Sequence, residues 1–145
     1  MRAHARPAHQ ARPRRWALLP AAALVLSGLA AGCSSSTPAY CTDASQLKTD
    51  VQNLGNVDVA KNGLGSLQTA LSKVQADAKA FAADAKSAFP SQTAALDTAV
   101  SGLQTAITSA KGQPAVTAAT AVATSVVQVK NSASNLQNAI SSSCQ

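Results

Sequence analysis

Apolar residues recur at alternating steps of three and four along most of the chain beyond residue 42. This spacing places them on one face of an α-helix. Proline and glycine signals interrupt the pattern and separate the helical stretches. The pattern therefore predicts four helices over 43–54, 64–88, 91–110 and 114–142, with one helical turn over 57–62 before the second of them.

Each stretch has a line of apolar residues, here called its seam, that predicts its buried face. The seams of the second, third and fourth stretches comprise Leu64, Leu67, Leu71, Val74, Ala78, Phe81 and Ala85; Leu96, Val100, Leu103, Ile107 and Ala110; and Val122, Val126, Val129, Ala133, Leu136 and Ile140. One further step of four from Ile140 leads to Cys144. Thr42 and Ser91 are the predicted N-caps of the first and third helices, and Gly112 ends the third.

The predicted core is thin. Its large side chains are mostly Leu and Val, and aromatic residues beyond residue 32 are limited to Tyr40, Phe81 and Phe89. Alanine flanks every seam, and it contributes little apolar area to burial. We therefore expect an all-α domain of this size to depend on a covalent cross-link.

The charge of the chain is unevenly distributed. The formal net charge is +6, yet all five arginines and both histidines lie within the first fifteen residues. From Cys33 onward, seven lysines face six aspartates, a net charge of about +1. This balance lacks the basic patch that follows a phosphate backbone, so we predict no nucleic-acid partner.

The first 32 residues have the layout of an export signal, in which a basic stretch precedes an apolar run from Trp16 to Gly32. The sequence Leu29-Ala30-Ala31-Gly32-Cys33 resembles the lipobox of bacterial lipoproteins, with Ala30 where an aliphatic residue is usual. The resemblance implies cleavage after residue 32, a diacylglyceryl anchor on Cys33 and attachment to the outer face of the cell membrane. An ordinary signal that leaves Cys33 unmodified is the alternative, and Arg14-Arg15 leaves the general secretory and twin-arginine routes both open.

Lipidation of Cys33 would leave two cysteines, Cys41 and Cys144. Outside the cytoplasm these two thiols most simply pair with each other, although unpaired or intermolecular cysteines are the alternative. A bridge holds its Cα atoms within about 7 Å, so the first helix must begin where the last one ends. Antiparallel helices in sequence meet this condition only when their number is even. We therefore predict a polar tether over 33–40 and an antiparallel four-helix bundle over 41–145.

The chemistry available beyond Cys33 is narrow, because this part of the chain has no His, Arg, Glu, Trp or Met. The absence of histidine excludes imidazole-activated nucleophiles and imidazole metal ligands. Ser45-Gln46-Leu47-Lys48 matches the S-x-x-K motif of penicillin-recognising serine enzymes, but no S-D-N or K-T-G partner follows. No glycine-rich phosphate loop is present. We predict no catalytic residue, no metal site and no cofactor.

The polar faces of the second and fourth helices carry few charges. Their main residues are Gln68, Ser72, Gln75, Lys79 and Lys86 on one helix and Thr117, Thr120, Thr124, Asn131, Asn135 and Asn138 on the other. They form either solvated surfaces or weak hydrogen-bonding surfaces toward a glycan or a protein of the envelope. The sequence is similar to small helical lipoproteins of GC-rich Gram-positive bacteria.

Two functions compete at this point. The first is a non-enzymatic, membrane-anchored envelope lipoprotein that acts as a binding or structural surface component. The second is a carrier that holds a lipid or small apolar ligand inside the bundle, because the core has few bulky side chains. The oligomeric state stays open.

Overall fold

The computed structural model describes residues 37–145, which form four α-helices. Helix α1 spans Ala39–Gly55, α2 spans Val59–Ala85, α3 spans Pro90–Ala110 and α4 spans Ala115–Ile140. No strand occurs in this part of the chain. The predicted all-α antiparallel four-helix bundle is confirmed.

The helices are arranged as a rhombus in cross-section. Each helix contacts the next along the chain, and α1 also contacts α4, which closes the ring. Helices α2 and α4 contact each other across the centre, whereas the backbones of α1 and α3 stay apart within 37–145. The seams of α2 and α4 therefore meet at the middle of the bundle.

The predicted seams form one continuous core. The side chains that are almost completely buried include Leu47, Leu54, Leu67, Leu71, Val74, Phe81, Leu96, Leu103, Ile107, Val122, Val129 and Leu136. Leu64, Ala78 and Val126, also predicted as seam residues, are partly buried and pack against this cluster. The three-and-four spacing thus identified the buried faces of α2, α3 and α4.

The first helix begins at Ala39, four residues before the predicted start. Pro38 occupies the N-cap position, and its carbonyl accepts a hydrogen bond from the Cys41 N–H at 2.9 Å. Thr42 therefore lies inside the helix, and the prediction that it is the cap is wrong. The helix extends because Tyr40 packs on the rings of Phe81 and Phe89, a tertiary contact that outweighs the polar character of the segment.

The third helix begins at Pro90 rather than at the predicted cap Ser91. Proline suits the first helical position, where its missing N–H costs no hydrogen bond. The preceding residue, Phe89, is the N-cap, and its carbonyl accepts hydrogen bonds from the Thr93 N–H at 3.0 Å and the Thr93 hydroxyl at 2.8 Å. The predicted stop at Gly112 is confirmed, with a positive φ of 83°.

Helix α2 is interrupted near its start. Gly63 has φ 75° and ψ 172°, which is not helical, so Val59 to Asn62 form a separate turn before the long helix. The Asp58 carboxylate caps this turn by accepting a hydrogen bond from the Lys61 N–H at 3.1 Å. The predicted turn before Gly63 is thus present, although it begins two residues later.

Candidate functional site

The start of α1 and the end of α4 are joined covalently. Cys41 and Cys144 form a disulfide, and their Cα atoms lie 5.6 Å apart. Cys41 lies in the first turn of α1, while Cys144 follows the last turn of α4. We refer to this end of the molecule, which also contains the turn between α2 and α3, as the bridged end.

An aromatic cluster stabilises the bridged end. The Tyr40 ring meets the Phe81 ring edge-on with centroids 6.2 Å apart, and it meets the Phe89 ring edge-on with centroids 5.7 Å apart. Phe81 has no exposed area. Edge-to-face pairs contribute about 0.5–1.5 kcal/mol each beyond the area they bury. The three aromatic residues of the described part of the chain therefore gather at one place, next to the disulfide.

The predicted lipidation site, Cys33, lies outside the described residues. Chain geometry still limits its distance from α1, because an extended residue spans at most about 3.6 Å. The short segment between Cys33 and Ala39 thus reaches roughly 20 Å. Any group on Cys33 is confined to this distance from the start of α1, and α1 starts at the bridged end.

A groove of about 500 Å³ lies between α2 and α3 and begins at the bridged end. We call it the α2–α3 groove. Its apolar floor includes Ala78, Leu96 and Val100, and its rims carry polar side chains. Three residues of the predicted polar row on α2 line it, namely Gln75, Lys79 and Lys86. The fold thus places much of this row beside an apolar surface.

The rims of the α2–α3 groove carry unpaired charges of both signs. Lys79 and Lys86 lie on the α2 side and Asp97 lies on the α3 side. Within 37–145 one ion pair forms, between Lys61 and Asp58, and it lies outside this groove. The ammonium and carboxylate groups of the groove are therefore available to a bound molecule, and the floor can cover apolar atoms.

A second groove, of about 340 Å³, lies between α4 and the connection from α1 to α2. It is lined mainly by apolar side chains, among them Val57, Val126 and Val127. Val127 is 53% exposed, which is unusual for a large apolar residue in this domain. The Lys130 side chain passes over Gly55 at the edge of this groove. The second groove has fewer polar side chains in its lining than the α2–α3 groove, although Asp58 and Lys130 also belong to it.

Both grooves lie on the outside of the bundle. Between the helices the seam side chains pack against one another in a single cluster. A ligand held in the interior would therefore have to separate helices that are in contact here. The carrier hypothesis stays a prediction that requires such an opening.

The predicted polar row of α4 is exposed along its whole length. Some hydroxyl groups on these surfaces are already engaged within their own helix: Thr120 donates to the Val116 carbonyl at 3.0 Å, and Ser72 of α2 donates to the Gln68 carbonyl at 3.0 Å. Such bonds leave the hydroxyl oxygen only as an acceptor toward a partner. The amides of Asn131 and Asn138 are the stronger candidate donors on α4.

The Ser-x-x-Lys match on α1 is exposed and does not lie in a groove. The Ser45 hydroxyl donates to the Cys41 carbonyl at 3.0 Å, so its proton points along the helix. Among the described residues, no group of three or more His, Cys, Asp or Glu side chains is arranged to hold a metal ion. None of the described helices is both long and apolar enough to cross a membrane.

One feature escaped the sequence analysis, a pair of carboxyl groups between α1 and α2. Asp50 is 7% exposed, and Asp77 Oδ2 is buried without a hydrogen-bond partner. Burial raises the pKa of Asp77, and the neighbouring carboxyl groups of Asp50 and Asp43 raise it further. The sequence did contain an indication of this pair: the seven-residue spacing of Asp43 and Asp50 puts both on the side of α1 that carries the buried Leu47.

Comparisons with protein families, curated proteins and solved structures return no match for this chain. The function is therefore inferred from the sequence and from the geometry described above.

Proposed function

We propose that this protein is a non-enzymatic lipoprotein of the bacterial envelope, anchored through Cys33 and acting as a binding or structural component at the outer face of the cell membrane. Residues 29–33 support the anchor by their resemblance to a lipobox. The structural observation that supports a location outside the cytoplasm is the disulfide between Cys41 and Cys144. It fixes the start of α1, and hence the exit of the tether, beside the end of α4. The bundle is thereby held by one end.

A bundle attached in this way presents its sides and its far end to the surroundings. The tether is short, so the bridged end stays close to the membrane surface. The longest uninterrupted helix, α4, has 26 residues, and a helix rises 1.5 Å per residue. The far end of the bundle therefore lies roughly 40 Å from the bridged end.

The α2–α3 groove is the surface that best fits a binding role. Its apolar floor and unpaired rim charges match a polypeptide or an amphiphilic glycan conjugate better than a purely apolar molecule. Its charges of opposite sign favour a partner that also carries both signs. The exposed amides of α4 offer further hydrogen bonds on another side of the bundle.

The anchor is tested by the mass of the N-terminal peptide of the mature protein. We expect this peptide to begin at Cys33 and to carry a diacylglyceryl group, and we expect Cys33→Ala to move the protein from the membrane fraction to the medium. The Cys41→Ala and Cys144→Ala double variant is the matched control, since it also removes cysteine but should stay in the membrane fraction. An unmodified Cys33 in the purified membrane fraction would refute the anchor.

The binding role is tested by photo-crosslinking on intact cells. A photoreactive amino acid replaces Ala94, an exposed residue of the α2–α3 groove, or Asn135, an exposed residue of α4. We expect a discrete crosslinked partner from position 94 that is lost when Lys79 and Lys86 are changed to Gln. Equal yields of the same products from both positions would argue for a structural component without a specific groove partner.

A further inference from the structure

The carboxyl pair between α1 and α2 is unusual because, among the described residues, no cationic side chain forms an ion pair with it. Asp50 and Asp77 are neighbours across the α1–α2 interface, and within residues 37–145 the Asn53 amide also reaches the pair, donating to Asp50 Oδ1 at 3.4 Å. Two ionised carboxylates cannot form a hydrogen bond with each other, because neither has a donor. One proton between them supplies that donor and removes one negative charge.

No other charged group in the described residues is placed to neutralise the pair in the way that this proton does. From α1, both neighbours that act on Asp77 are acids, Asp50 and Asp43. On α2 itself, Lys73 and Lys79 are exposed. Helix α4 carries one titratable side chain, Lys130, which lies over Gly55, more than one helical turn from Asp50. The titratable residue of α3, Asp97, lines the α2–α3 groove instead.

We propose that Asp50 and Asp77 form a proton-sensitive contact that holds α1 against α2 when they share a proton and loosens this interface when both ionise. Asp50 is buried and Asp77 is half-buried between the two helices, so a repulsion between their charges is screened less than between fully exposed groups. The orphaned Asp77 Oδ2 atom marks the place at which the second ionisation is most costly.

The position of the pair determines which end of the α1–α2 interface loosens. At the bridged end, the disulfide and the aromatic cluster hold α1 in place. Toward the other end, the described residues form no disulfide and no aromatic pair between the two helices, and α2 is broken at Gly63. This end includes the second groove, whose lining contains Leu54 and Val57. We therefore expect loss of the shared proton to loosen the α1–α2 interface mainly at this end.

The sign of the pH dependence follows from the raised pKa of Asp77. A carboxyl with a higher pKa in the folded than in the unfolded protein binds its proton more tightly when folded. Its contribution is fully present below the unfolded value of about 3.9 and is lost as the pH rises through the folded value. Within this window the unfolding equilibrium constant rises by up to about tenfold per pH unit for one linked proton.

The test compares the unfolding constants of the non-reduced protein and of Asp77→Asn from pH 4 to pH 8. The amide supplies a permanent donor without charge, so we expect the ratio of wild-type to variant constants to rise with pH by up to tenfold per unit and then to level off. Asp84→Asn, which removes an exposed carboxylate of the same helix, should give a ratio that does not follow this rise. A flat ratio for Asp77→Asn would overturn the proposal.

Hydrogen exchange of the wild-type protein provides a second test that needs no variant. We expect the protection factors of amides in 47–57 and 64–77 to fall as the pH rises through the same window, while those in 93–110 of α3 stay constant. Equal changes in all helices, or no change in α1, would also overturn the proposal. Asp50→Asn replaces Asp77→Asn if the latter does not fold, with the same expected ratio.

Discussion

Cys41 and Cys144 are 103 residues apart along the chain, yet their Cα atoms lie 5.6 Å apart. A cross-link that closes so long a loop restricts the unfolded chain strongly, by up to about 4.7 kcal/mol in the chain-entropy model. We expect the Cys41→Ala and Cys144→Ala double variant to lose about 2–5 kcal/mol of unfolding free energy. Urea denaturation measures this loss, and a reductant should lower the wild-type midpoint but leave the variant unchanged. Equal midpoints for the two proteins would contradict the prediction.

The aromatic cluster should be the most sensitive part of the core. Phe81 is fully buried and contacts the Tyr40 ring, so Phe81→Ala removes core volume and an edge-to-face pair together. We expect a loss of about 3–5 kcal/mol in urea denaturation. The control Val116→Ala truncates a side chain that is 72% exposed and should stay within about 0.5 kcal/mol of the wild type. A loss of less than 1 kcal/mol for Phe81→Ala would be inconsistent with a packed cluster.

The sequence was sufficient to predict the helices, their seams and the disulfide. Helical periodicity is local, so the spacing from Leu64 to Ala85 needed no knowledge of the neighbouring helices. The even number of helices agreed with the distance limit on the Cys41–Cys144 bridge, given that consecutive helices joined by short loops run antiparallel. These properties depend on the spacing and order of residues along the chain, which can be read directly from the sequence.

Other features depend on which side chains meet across helices, and the sequence does not contain that information directly. The start of α1 at Ala39 depends on the contact of Tyr40 with Phe89, which brings together two distant segments. The α2–α3 groove arises where Ala78 and Ala82 face α3, and a list of small residues does not show this. The Asp50–Asp77 pair likewise requires the register between α1 and α2.

The same kind of hydrogen bond, from a Thr hydroxyl to the carbonyl four residues earlier, occurs at the buried Thr93 and at the exposed Thr98. The Thr93 hydroxyl donates to the Phe89 carbonyl at 2.8 Å and its residue is 8% exposed, whereas the Thr98 hydroxyl donates to the Ala94 carbonyl at 2.9 Å and is exposed. We expect Thr93→Val to lose about 0.5–1.5 kcal/mol of unfolding free energy and Thr98→Val to stay within about 0.5 kcal/mol of the wild type. Thermal or urea unfolding distinguishes the two. Equal losses would show that the stabilisation from this hydrogen bond does not depend on burial.

We expect the substitution of glycine by alanine to have opposite effects on stability at Gly63 and at Gly65, two residues further along the chain. A Cβ atom at either position would meet no heavy atom within 4 Å, so contacts with the surroundings do not decide the outcome. Gly63 has φ 75° and ψ 172°, a region that is essentially restricted to glycine, and Gly63→Ala should cost about 1–3 kcal/mol. Gly65 lies in the regular part of α2, where alanine stabilises a helix by roughly 0.5–1 kcal/mol relative to glycine.

The two variants are compared by urea denaturation together with helical circular dichroism. A stabilising effect of Gly63→Ala would mean that α2 can continue straight through position 63. In that case the first turn, which contains the buried Val59, would leave its place against the core and the helical signal would rise. We expect instead that Gly63→Ala destabilises the protein without added helix, because the break at Gly63 is what brings Val59 back onto the bundle.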